Sequence, residues 1–84
     1  MTVLSASGTY YATASDGLVR IVNNASVVVV LPRQGAPGQE ITIQDASGAS
    51  SAQIQDQAGQ INLHLTNFER VTVSWDNQRQ NWFI

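Results

Sequence analysis

Only a few side chains in this sequence could support catalysis or metal binding, and the first of them is a lone histidine. His64 stands between Leu63 and Leu65, so strand alternation turns its imidazole away from the side on which the leucines lie. A catalytic or metal-binding histidine needs partner groups of matching chemistry within reach. The neighbouring sequence supplies none, and we therefore predict that His64 is a solvent-facing strand residue.

Four aspartates lie in or beside predicted turns: Asp16, Asp45, Asp56 and Asp76. An aspartate at such a position usually caps the turn through its own side chain. The stretch D-A-S-G at 45–48 resembles the start of a calcium loop, but it lacks that motif's alternating oxygen ligands and closing glutamate. We predict turn capping at these aspartates, no metal site and no cofactor.

Motifs of enzymatic sites are also missing from the sequence. No serine stands in a nucleophile-elbow motif, and no glycine-rich phosphate loop precedes a helix. The triplet N-A-S at 24–26 matches a glycosylation site, but we interpret it as a hairpin turn. The sequence therefore predicts a protein that is not an enzyme.

The size and composition of the chain predict a single β domain spanning residues 1–84. A domain of 84 residues buries only about 60–65% of its unfolded surface, so its stability is marginal. The chain has no cysteine, which excludes disulfides and thiolate metal sites as additional support. A closely packed core or an oligomer must then stabilise the fold.

The charge pattern excludes several classes of partner. The four basic residues are all arginines, scattered along the chain, and the net charge is −2, so nucleic-acid binding has little support. No apolar run approaches the ~20 residues that span a bilayer, and the first residues lack a basic signal-peptide region, so we predict no membrane association. Charged residues make up 12% of the chain, and an uncharged polar surface suits identical subunits that meet around a symmetry axis.

Nearly every segment of the chain has a β pattern. Short runs rich in β-forming residues alternate with turns of Gly, Pro, Asn, Asp and Ser, and no convincing helical stripe occurs. This spacing predicts an all-β fold, a compact β-sandwich or jelly-roll-like module of about eight short strands. The predicted strands cover 9–14, 18–23, 27–31, 40–44, 52–56, 61–65, 70–75 and 81–84.

The run V-V-V-V-L-P at 27–32 does not alternate, so both of its faces must be covered. Two explanations remain open. The strand lies centrally within the monomer, or one face lies in the core and the other against a neighbouring molecule.

The last two predicted strands form a hairpin with a testable register. Pairing Trp75 with Trp82 places Ser74 opposite Phe83 and Val73 opposite Ile84, with the tryptophans and Val73 directed inward. The Phe83 side chain is then directed outward, and no contact within the chain accounts for an aromatic residue at that position.

Several motifs together resemble a small β module found in structural proteins of tailed bacteriophages. They are A-T-A-S-D-G at 12–17, the segment 18–24 ending in N-N, V-V-V-V-L-P at 27–32, G-Q-E-I-T-I-Q-D-A-S-G at 38–48, and the closing hairpin 71–84. The resemblance covers nearly the whole chain and concerns structural motifs. In the module, threonines stand where this chain has Val28 and Val30, and Lys-Asp stands at 44–45.

This resemblance implies a virion structural protein, most simply a capsid decoration (cement) or head-fibre protein on the capsid exterior, made in the host cytoplasm. Such proteins are usually trimeric, so we expect a homotrimer that contacts the major capsid protein or another virion protein. The alternative is a tail-fibre or receptor-binding module that contacts host carbohydrate. The expected interface residues are Val28, Val30, Phe83, Tyr10 and Tyr11, although aromatics in so small a chain often pack in the core.

Overall fold

A computed structural model describes residues 2–13, 15–22, 26–48, 52–65 and 68–84. These residues form strands and turns without a helix, which confirms the predicted all-β fold. The strands are β1 (Thr2–Leu4), β2 (Gly8–Tyr11), β3 (Leu18–Ile21), β4 (Val27–Val30), β5 (Glu40–Asp45), β6 (Ala52–Gln55), β7 (Asn62–His64), β8 (Arg70–Asp76) and β9 (Asn81–Phe83).

The strands form two sheets, and the chain crosses from one sheet to the other after each of the first five strands. The first sheet has the order β1-β3-β5-β8-β9, and the second sheet has the order β2-β4-β6-β7. The pairs β1–β3–β5 and β2–β4–β6 are all parallel. The described chain therefore winds as a short parallel β-solenoid of three coils, a connectivity that the spacing of the strands did not predict.

The end of the chain closes the solenoid with antiparallel strands. β7 pairs antiparallel with β6 in the second sheet, and β8 pairs antiparallel with β5 in the first. β9 adds a hairpin to β8, with Trp75 opposite Trp82 and Ser74 opposite Phe83, as predicted. Ile84 lies beyond the hairpin and is 66% exposed, so its predicted inward position opposite Val73 is wrong.

The structure differs from the sequence-based expectations at two further places. β1 was not predicted, because a three-residue strand beside a serine-rich segment gives too little alternation to recognise. The triplet at 24–26 was predicted to be a hairpin turn, but β3 and β4 lie in different sheets. Most of that triplet, and the predicted strand ends at 14 and 23, lie outside the described residues.

The core lies between the two sheets and is built from the inward positions of each coil. Alternation along β4 buries Val27 and Val29 almost completely and leaves Val28 and Val30 half-buried on the outside. Strand pairing stacks equivalent inward positions on one another, as in the column Tyr10, Val29, Ile54 and Leu63, whose last step is antiparallel. The monomer thus covers the inner face of the valine run fully but its outer face only in part. The first of the two explanations, in which the monomer covers both faces, therefore does not fully account for this run.

Two tryptophans and a loop close the core at one side. The Trp75 and Trp82 rings meet edge to face, with centroids 5.3 Å apart, and both are buried. Trp82 Nε1 donates a hydrogen bond of 2.7 Å to the carbonyl of Pro32, at the start of the loop 32–38. Gly35 in that loop lies so close that a Cβ there would stand 2.8 Å from Trp82 Cη2 and 2.9 Å from Trp75 Cβ.

We predict that Gly35→Ala destabilises the fold by about 1–3 kcal/mol, because the added methyl group must displace the loop or the tryptophan pair. Chemical denaturation followed by tryptophan fluorescence measures the change. Gly17→Ala is the matched control, because a Cβ at Gly17 meets nothing within 4 Å. Equal stability of the two variants would contradict close packing of this loop on the tryptophans.

Candidate interaction surface

The outward side of the second sheet forms a largely uncharged surface, which we call the valine face. Parallel and antiparallel pairing align its residues in two rows across the strands. One row is Thr9, Val28, Gln53 and His64, and the other is Tyr11, Val30, Gln55 and Asn62.

The centre of the valine face is apolar and its surroundings are amides, hydroxyls and one imidazole. Val28 and Val30 are half-buried by their neighbours, and the Tyr11 side chain beside Val30 is 65% exposed. Gln55 Nε2 donates a 3.4 Å hydrogen bond to Oε1 of Gln53, the other outward residue of β6. A surface of this kind can be dehydrated without removing a charge from water.

The outward side of the first sheet differs in charge, and we call it the arginine face. Arg20 and Arg70 lie on the strands that flank Gln44, while Glu40 and Ser74 lie farther along the same side. Thr42 and Thr72 share a 2.9 Å hydrogen bond between their hydroxyls. This face also carries Val3, Leu18 and Phe83.

The structure brings together three of the five predicted interface residues. Tyr11, Val28 and Val30 are neighbours on the valine face. Phe83 is 49% exposed, as expected, but it lies on the opposite side of the molecule, on the arginine face. Tyr10 points inward and packs against the core, so it belongs to neither face.

Tyr10 is held in place by Asp16, a residue whose contacts the sequence did not reveal. The Tyr10 hydroxyl donates a 2.8 Å hydrogen bond to Asp16 Oδ2, and Thr2 Oγ1 donates one of 2.7 Å to Asp16 Oδ1. The backbone amide of Thr13 also donates to Oδ2. Asp16 therefore joins β1, β2 and the following turn, and fixes the first coil.

These contacts shift the titration of both partners. Burial alone would raise the pKa of Asp16, but hydrogen bonds from Thr2, Thr13 and Tyr10 outweigh it and lower the pKa below its usual value. The hydrogen bond to Asp16, followed by burial, raises the pKa of Tyr10. The ionised Asp16 and the neutral Tyr10 are thus the forms that the fold stabilises.

The other three turn aspartates cap their own turns, as predicted. Asp45 Oδ1 accepts from the amide and hydroxyl of Ser47, and Asp56 Oδ1 accepts from the amides of Gln60 and Ile61. Asp76 Oδ1 accepts from the amides that follow it in the β8–β9 loop. These carboxylates satisfy local backbone donors, which is a structural role.

His64 is exposed on the valine face at the end of the row that contains Val28, which confirms its predicted outward position. Within the described ranges, no group of three or more His, Cys, Asp or Glu side chains is placed to hold a metal ion. The part of the chain that the structure describes also holds no helix long and apolar enough to cross a membrane. The chain matches no protein-family model, no curated protein and no solved structure.

We predict that Asp16→Asn lowers the free energy of unfolding at neutral pH by about 1.5–3 kcal/mol, since it removes hydrogen bonds to a charged acceptor. A depressed pKa in the folded state stabilises the fold fully above the unfolded value, near 3.8. This contribution is lost as pH falls through the lower folded-state pKa.

The gap between wild type and Asp16→Asn should therefore be constant from pH 7 to about 5 and close in stronger acid. Urea unfolding at each pH measures it. Tyr10→Phe, which deletes one donor and keeps the ring, is the control and should show a smaller loss. A gap that does not narrow at all as the pH falls below the unfolded value would contradict the role assigned to the carboxylate.

Proposed function

We propose that this chain is a structural protein of a tailed-bacteriophage virion, a capsid decoration (cement) or head-fibre protein that acts as a homotrimer. Its motifs resemble those of a phage structural module over nearly the whole chain. The observation that carries the proposal is the uncharged valine face, with Val28 and Val30 in place of the module's threonines.

The valine face suits contact between identical subunits. Burying Val28, Val30 and the exposed Tyr11 ring removes apolar surface from water at about 25 cal/mol per Å². Copies that meet there bring no like charges together, because the side chains around the valines are amides and hydroxyls. Subunits of the trimer therefore meet through this face.

The arginine face remains free in such a trimer and is suited to contact the virion. It combines exposed arginines with Phe83, the second exposed aromatic residue of the predicted interface set. Arginine and aromatic residues are enriched at protein interfaces. The partner on this side is the major capsid protein or another virion protein, at the capsid exterior or in a fibre.

The direct test is the copy number of the protein in purified virions, measured by quantitative mass spectrometry. A decoration protein is present in simple stoichiometry with the major capsid protein. Its absence from particles would refute the proposal. A few copies per particle, located at the tail, would favour the alternative function below.

We predict that the double change Val28→Thr and Val30→Thr dissociates the trimer while the monomer stays folded. Each hydroxyl that is left unbonded in the dry contact costs about 1–3 kcal/mol, and the cost recurs in every subunit. Light scattering measures assembly, and circular dichroism measures folding.

Val29→Thr is the matched control for this change, because Val29 is fully buried between the sheets. It should reduce the stability of the monomer itself. If the double variant unfolds and assembly follows folding in every variant, the valine face is not a subunit contact. A wild-type protein that stays monomeric at micromolar concentration would restrict the trimer to the assembled virion.

A second function, recognition of host carbohydrate by a tail fibre, is favoured by one observation. The Tyr11 ring is 65% exposed on the same row as the amides of Gln55 and Asn62. An exposed aromatic ring beside amide groups can stack on a sugar and bond its hydroxyls. Glycan-array binding that is lost in Tyr11→Ala, together with tail localisation, would support this function over decoration.

A further inference from the structure

The two ends of the solenoid are closed differently. The strands β7, β8 and β9 run antiparallel to the coils and cover the last coil. The first coil has no such cover within the described residues, where β1 pairs only with β3 and β2 pairs only with β4. Repeat proteins generally need a capping element at each end, because every coil templates the next.

The uncovered edges direct backbone hydrogen-bonding groups away from the molecule. Leu4 O accepts from Val22 N, while Gly8 N and Ala12 N donate to β4 and its flanks. Alternate residues of a paired strand direct their N–H and C=O groups to opposite sides. The backbone N–H and C=O groups that point outward from the two edges are therefore those of Val3 on β1 and of Thr9 and Tyr11 on β2.

A groove of about 300 Å³ lies between these edges. Leu4, Tyr10 and Val27 are among its lining residues, so it reaches the apolar interior between the sheets. We call the two edges and this groove the open end.

The spacing of the two edges restricts what can cover the open end. Packed sheets lie about 10 Å apart, so a partner must offer two strand edges at that separation to continue both sheets. A single peptide strand satisfies only one edge. The open end of a second copy, rotated by a two-fold axis, presents two edges with the same separation.

We propose that two copies of this chain associate through their open ends, so that each sheet continues antiparallel into the same sheet of the partner copy. Val3 precedes the last residue of β1 and Thr9 follows the first residue of β2, so both lie equally far from the turn 5–7. One two-fold axis can therefore pass beside both residues. The two Val3 residues then exchange N–H···O=C bonds in one sheet, and the two Thr9 residues do so in the other.

This association is independent of the proposed virion function and of the valine face. It uses strand edges and the groove, whereas the proposed trimer uses the outward side of the second sheet. Val3 and Thr9 lie on opposite sides of the molecule, on the arginine face and the valine face respectively. A contact through either face alone would bring together only one of the two residues.

Cysteine cross-linking tests the arrangement, since the chain has no cysteine of its own. Cα atoms of a hydrogen-bonded antiparallel pair lie about 5.5 Å apart, within the range that a disulfide spans. Thr9→Cys and Val3→Cys, made separately and oxidised mildly, should each give a covalent dimer of twice 9.1 kDa. Thr72→Cys, an exposed threonine in the middle of the first sheet, is the control and should stay monomeric on a non-reducing gel.

Dimers from both Val3→Cys and Thr9→Cys, at least tenfold faster than from Thr72→Cys, support the proposal. Cross-linking of Thr9→Cys alone indicates a contact through the valine face and overturns it. Cross-linking of neither variant, or equal rates in all three, also overturns it.

A backbone variant gives a second, independent measurement. The Thr9 amide points outward, so Thr9→Pro removes the donor to the partner without removing a bond to β4. Sedimentation velocity over a concentration series should show association through the open end in the wild type and its loss in Thr9→Pro, with an unchanged circular dichroism spectrum. A folded Thr9→Pro variant that associates like the wild type overturns the proposal, and if the variant unfolds, the cross-linking result decides.

Discussion

The stacking of inward side chains from one coil to the next is the interaction on which the rest of this structure depends. Parallel pairing sets Val19 beside Ile43 and Val29 beside Ile54, and these four side chains are fully buried. A slip of one residue in any pair would turn a whole set of apolar side chains to the outside. The columns therefore fix the register of both sheets at once.

The closing strands extend these columns and then end them. Leu63 and Leu65 continue the second sheet inward, and Val73 continues the first. Beyond them, the two large rings of the tryptophan pair pack under the loop 32–38, and the Trp82 indole donates a hydrogen bond to a loop carbonyl. A chain without disulfides thus stabilises its last coil by close packing of aromatic rings.

The first coil is stabilised in a different way. Three of its inward positions, Thr2, Gly8 and Ala12, are small, and its two large ones, Leu4 and Tyr10, are only partly buried, so packing contributes less there than in the later coils. Polar contacts through Asp16 tie β1, β2 and the next turn together instead. The result is a coil that no other described strand covers, held by side-chain hydrogen bonds where the last coil is held by aromatic packing.

Local patterns in the sequence determined most of the strands and which side of each strand is buried. Alternation assigned Val27 and Val29 to the core, placed His64 outside and set the Trp75–Trp82 register, because side-chain direction in a strand depends only on neighbouring residues. The capping aspartates were equally predictable, since an Asx turn is made within a few residues.

Apart from the β8–β9 hairpin, tertiary structure alone decided which strands pair and in what direction. Val28 and Phe83 were both predicted to be outward, but only the assignment of β4 and β9 to different sheets separates them onto opposite faces. The parallel stacking of the coils also decides that the Tyr10 side chain points inward and bonds to Asp16. It likewise produces the open end. The physical reason is that strand pairing is set by contacts between residues far apart in the chain, and alternation within a strand is the same whichever neighbour it acquires.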